Sequence, residues 1–137
     1  MSATVVLDTN VLVRYLVQDI PEQAVRATTL FDSVASGEIA IRLPDTVVFE
    51  SIYILQRVYS ISKTETADAL TRIIEHPSVI LDHKHSVLHA LRFWQGTGGL
   101  SFADCYHLAL AADLGFTQIY SFDKQMDRYP GVTRIEP

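Results

Sequence analysis

Short β-rich runs alternate with longer helical patterns along this whole chain, and that alternation limits its fold more than any other feature. Strands separated by helices pair in parallel, since only a long crossover brings the chain back to the same edge of a sheet. Thr4–Asp8 is apolar without alternation, the pattern of a central strand buried on both faces. Asn10–Gln18 carries Val11, Leu12, Tyr15 and Leu16 at helical spacing, and Pro21 opens a second helix, Glu22–Ser36, that Gly37 ends. Glu38–Leu43 is a short strand and Pro44–Ser60 a long apolar helix. Ser62-Lys63-Thr64-Glu65 fits a capping box and starts a helix that ends before Pro77. Ser78–Leu81 and Gln118–Phe122 read as strands, His85–Gln95 and Ser101–Leu114 as helices, and Val132–Ile135 as a last edge strand. Gly96–Gly99 is the one flexible loop. The expectation is a single α/β domain over residues 1–137, a three-layer α/β/α sandwich around a central parallel sheet of four to five strands.

Carboxylates interrupt this pattern where a core would not want them. Asp8 ends T-V-V-L-D, Glu50 breaks V-V-F-E-S-I-Y-I-L, Asp104 opens F-A-D-C-Y-H-L-A-L-A-A, and Asp123 ends I-Y-S-F-D. In open α/β sheets ligands sit beyond the carboxyl ends of strands, which is where Asp8 and Asp123 fall. A divalent cation is the simplest way to hold several such acids in one site. Each acid also has an ordinary explanation. Asp8, Thr9 or Asn10 serves equally as a helix N-cap. Ser101 and Asp104 fit a capping box, and Asp123 fits a turn, with Asp127 one helical turn later. Glu50 resists such an explanation most, because its helix is apolar nearly all round and is expected to be buried.

Composition narrows the alternatives. The 137 residues, 48% hydrophobic and 20% charged, are those of an ordinary globular protein. No apolar run approaches the ~20 residues that span a bilayer, and no basic segment precedes the first strand. With Cys105 as the one cysteine, an internal disulfide is excluded, and a cytoplasmic protein with no membrane partner is expected. The net charge of −5 disfavours a broad basic surface for nucleic acid, but an acidic site offset by bound metal is compatible with it. His85 and His89 stand at i, i+4, a workable zinc spacing; without an H-E-x-x-H pattern or a cysteine partner, the start of a surface helix is the expected reading. His107 is expected to pack or face solvent, and Cys105 to be a small buried residue.

The runs V-V-L-D-T-N-V-L-V-R-Y-L, P-D-T-V-V-F-E-S-I-Y-I-L-Q-R-V-Y, F-A-D-C-Y-H-L-A-L-A and Y-S-F-D-K-Q-M-D-R resemble a PIN-domain ribonuclease, and among these the VapC toxins of bacterial toxin–antitoxin pairs. The resemblance covers essentially the whole chain, with all four acidic motifs in order. It implies that Asp8, Glu50, Asp104 and Asp123 ligate Mg²⁺ or Mn²⁺, that Asn10 and Ser121 are polar helpers, and that Asp127 is an accessory acid. It implies an RNA substrate, a cognate antitoxin protein and a homodimer. Arg14, Lys124 and Arg128 lie near these motifs and are candidates for phosphate contacts or for plain surface charge. Three other readings stay open: a PIN-fold binding module without activity, a haloacid-dehalogenase-like phosphatase, and a DNA-directed nuclease of the same fold. The phosphatase chemistry uses a second aspartate two residues after the first, and Asn10 stands there.

Overall fold

Every described strand pairs in parallel, as the alternation of strands and helices favours. In the computed structural model, which describes residues 3–137, the chain divides into two compact units, Met1–Asp82 and His83–Pro137. The first unit runs β1 (Ala3–Val6), α1 (Thr9–Val17), α2 (Pro21–Ala35), β2 (Ile39–Arg42), α3 (Asp45–Arg57), α4 (Lys63–Ile74) and β3 (Val79–Ile80). Its sheet has the order β1-β2-β3, with Ala3 opposite Ile39 and Ile41 opposite Val79. The second unit runs α5 (Lys84–Gly96), α6 (Phe102–Asp113), β4 (Gln118–Tyr120), a 3-10 turn (Lys124–Arg128) and β5 (Thr133–Ile135). There β4 and β5 pair alone, Gln118 opposite Thr133 and Tyr120 opposite Ile135.

Local sequence explains most boundaries. Pro21 starts α2 where a missing N–H costs nothing. The Ser62 hydroxyl accepts from the Glu65 N–H at 3.1 Å to start α4. In the first unit, Ala24, Ala27, Phe31 and Val34 form the buried stripe of α2, and Leu12, Leu70 and Ile74 are fully buried. Each such leucine contributes roughly 1.5–3 kcal/mol relative to exposure. In the second unit, α5 packs along α6 through Val87, Ala90, Leu91 and Trp94. Trp94 meets Phe102 edge-on, with ring centroids 6.0 Å apart. Cys105 is buried in α6, as expected of a lone small residue on an apolar helix.

Two expectations need correction. The single sheet of four to five strands is instead a three-stranded and a two-stranded parallel set. The run expected as a central buried strand is an edge of the first set, with Val5 53% and Val6 65% exposed. An unbroken apolar run signals affinity for burial, but strand order decides which runs receive it. Among the described residues, no helix is long and apolar enough to cross a membrane.

Candidate functional site

The first unit carries Asp8, Asn10 and Glu50. Asp8 occupies the N-cap of α1 with extended backbone angles, yet its carboxylate makes no cap hydrogen bond. The capping explanation therefore does not account for this acid. Asn10 is exposed in the first turn of α1 and lines a groove of about 450 Å³ with Val11, Arg14, Arg26, Ala27 and Leu30. Glu50 corrects the sequence argument. It lies on an exposed face of α3 with Thr46, Tyr53 and Arg57, while Val48, Ser51, Ile52 and Leu55 are buried on the other side. Tyr53 is 64% exposed, so an apolar residue count overstated the burial of this helix.

Two buried hydroxyls follow these acids directly. Thr9 Oγ1 and Ser51 Oγ have no hydrogen-bond partner, although Thr9 is 5% and Ser51 0% exposed. An orphaned buried hydroxyl costs about 1–3 kcal/mol, so both mark positions where the fold is not at its own optimum.

The second unit carries Asp104, Ser121 and Asp123, and here the acids are employed locally. Asp104 completes a capping box. Its N–H donates to Ser101 Oγ at 3.1 Å, and its Oδ2 accepts from the Ser101 N–H at 3.2 Å. Asp123 caps the 3-10 turn, Oδ1 accepting from the Gln125 N–H at 2.9 Å. Ser121 Oγ accepts from the Asp123 N–H at 3.0 Å, so this serine sets the turn that presents the acid. A cap occupies one carboxylate oxygen and leaves the other available. Oxygen donors of this kind fit a hard divalent cation such as Mg²⁺ or Mn²⁺.

The cations near the motifs divide differently. Arg14 pairs with Asp19 and donates to Tyr59 Oη at 3.0 Å, while Tyr59 donates to Asp19 at 2.6 Å. The Tyr59 hydrogen bond, and then that of Arg14, hold the Asp19 carboxyl below its ordinary range. Arg128 donates to the Gly98 carbonyl and thereby ties down the glycine loop. Gly99 in that loop has φ +81°, and a Cβ there would meet Gln125 Oε1 at 2.8 Å. Asp127 pairs with Arg134 at 3.2 Å, and Arg134 also donates to the Ser121 carbonyl at 3.1 Å. Glu136 first, and then Asp127, raise the Arg134 pKa above its ordinary value. Lys124 and His107 are exposed.

One residue escaped the sequence reading altogether. Asp113, at the end of α6, joins His85 and His89 in a group whose donor atoms lie within 4.8 Å of one another. That group contains none of the four expected acids. Nothing in the sequence links Asp113 to the histidines, because only the packing of α5 on α6 makes them neighbours.

A family model described as PIN domain matches residues 5–132. The chain belongs to the PIN-domain family. The match runs through both compact units and includes every expected site residue from Asp8 to Asp123. PIN domains are generally metal-dependent nucleases, and the α/β fold with parallel strands described above is a nuclease-type fold. No curated protein matches the chain.

Proposed function

We propose that this PIN domain is a metal-dependent endoribonuclease and the toxin of a VapC-type toxin–antitoxin pair. One observation carries the reading: a PIN match over residues 5–132 spans Asp8, Glu50, Asp104 and Asp123, the four acids that the resemblance to VapC toxins makes metal ligands. Asp8 supports it most directly, since its carboxylate is spared from capping. In this reading Asp8, Glu50, Asp104 and Asp123 hold Mg²⁺ or Mn²⁺. When bound, the ion supplies an activated water and charge stabilisation for hydrolysis of a phosphodiester. Ser121 acts as a positioning residue by holding the Asp123 turn, and Asn10 offers an exposed amide beside Asp8.

The partners follow the same reading. An antitoxin helix with apolar anchors suits the groove floored by Val11, Ala27 and Leu30, with Arg26 at its side to receive an acidic group. A homodimer is part of the proposal, and light scattering of the purified chain measures it. The test of the activity is cleavage of a small-RNA pool by the partner-free protein with Mn²⁺, with Mg²⁺ and with EDTA, beside Asp8→Asn. Discrete metal-dependent fragments, absent for a folded Asp8→Asn protein, are the expected result. Equal cleavage by that variant overturns the assignment.

A second reading has a specific observation behind it. Asp104 and Asp123 both have capping work, and Glu50 lies on an exposed helix face, as expected of a PIN fold acting only as a binding module. Absence of both cleavage and Mg²⁺ uptake selects that reading. Membership of the PIN family leaves the phosphatase alternative without support.

A further inference from the structure

We propose that His85, His89 and Asp113 form a second cation site, one that takes a transition-metal ion of the zinc class. The two histidines occupy the first turns of α5 at i, i+4, on one exposed face, with ring centroids 4.7 Å apart. Asp113 ends α6, and the packing of α5 along α6 brings its carboxylate to the same place. All three donors lie within 4.8 Å of one another. Around a tetrahedral ion with Zn–N of ~2.0–2.1 Å, neighbouring donors stand roughly 3.3 Å apart. The widest donor separation therefore needs to close by about 1.5 Å, which exposed side chains achieve by χ rotations.

The carboxylate is already prepared for this role. Ser86 Oγ donates to Asp113 Oδ2 at 2.6 Å, and Ser86 is 2% exposed. That bond fixes the carboxylate and leaves Oδ1 toward His89 Nδ1, 3.9 Å away. A buried hydroxyl that orients a ligating carboxylate is the usual outer support of a metal site. Asp113 also stands at the negative end of the α6 dipole, which favours a cation.

Donor chemistry separates this site from the acidic set. Two imidazoles and one carboxylate suit Zn²⁺, Co²⁺ or Ni²⁺, whereas Mg²⁺ prefers oxygen alone. Three protein ligands leave a coordination position open to water or to a group brought by another molecule. Lying wholly within the second unit, the site does not depend on the proposed ribonuclease activity.

The decisive experiment follows the histidine ring resonances of the full chain by ¹H–¹⁵N NMR during titration with Zn²⁺. The rings of His85 and His89 are expected to shift together at equimolar Zn²⁺, while His107 stays in place and excess Mg²⁺ produces no such shift. His89→Ala should abolish the His85 shift. Ser86→Ala should weaken affinity by about 10-fold, the usual loss on removing an outer support. The same titration in an Asp8→Asn background should be unchanged, which separates this site from the acidic one. Rings of His85 and His89 that do not move, or a His85 shift that survives His89→Ala, overturn the proposal.

Discussion

The acids of the first unit resemble those of the other unit in sequence, yet the two pairs differ in employment. Asp8 stands at a helix N-cap without capping, and Glu50 faces solvent on α3. Asp104 and Asp123 each accept a backbone N–H at the start of a helical turn. Capping work at a helix start thus does not by itself remove a carboxylate from metal binding. A cap takes one oxygen, and a ligand needs only the other. What distinguishes the acids is the local stability each supplies, and that can be measured apart from activity.

The largest expected effect comes from the unemployed acid. Asp8→Asn should reduce metal-dependent RNA cleavage at least about 100-fold, since even outer-shell changes at metal sites cost 10–100-fold. Its urea midpoint should stay that of the native protein, because no cap bond is lost. A large shift in midpoint would show that Asp8 has a structural duty after all. In the second unit the balance reverses. Ser101→Ala removes the hydroxyl half of the capping box and should destabilise by ~1 kcal/mol, while the Asp104 carboxylate remains. Chemical denaturation measures the first effect and manganese titration the second.

A smaller effect tests the buried hydroxyls. Ser51→Ala deletes an unpartnered Oγ in a fully buried position and should leave stability unchanged or raise it by up to about 1 kcal/mol. If cleavage falls with stability intact, the hydroxyl serves the site beside Glu50 rather than the core. The smallest effect concerns acid. The Asp19 carboxyl is depressed by Tyr59 and Arg14, so its contribution is complete above the unfolded carboxylate pKa and is lost as pH falls through the folded value. Asp19→Asn should therefore be less stable than the native protein at neutral pH. The two stabilities should converge below pH ~4. A gap that persists at pH 2 in thermal melts would assign the effect to packing.

Much of the fold was legible because its causes are local. Pro21, the Ser62–Glu65 box and the Ser101–Asp104 box place helix starts through bonds between neighbouring residues. Alternation of short and long apolar patterns favoured parallel pairing, since parallel strands need a long crossover and a helix supplies one. The PIN match over residues 5–132 agrees with the four acidic motifs that the sequence displays in order. Burial was less legible. The run T-V-V-L and the helix around Glu50 are equally apolar on paper, yet Val6 is 65% exposed and Ile52 is 6% exposed.

By itself the sequence determined the class of fold, the family and the residues able to carry chemistry, because composition and spacing act over a few residues. Only the tertiary structure decided which of those residues have prior duties. Arg14 was claimed by Asp19 and Tyr59, Arg128 by the Gly98 carbonyl, and Asp127 by Arg134. It also decided that Asp113 lies beside His85 and His89. Arg14 and Tyr59 are 45 residues apart and Arg128 and Gly98 are 30 apart, so these partners are chosen by how helices and strands pack, not by spacing along the chain.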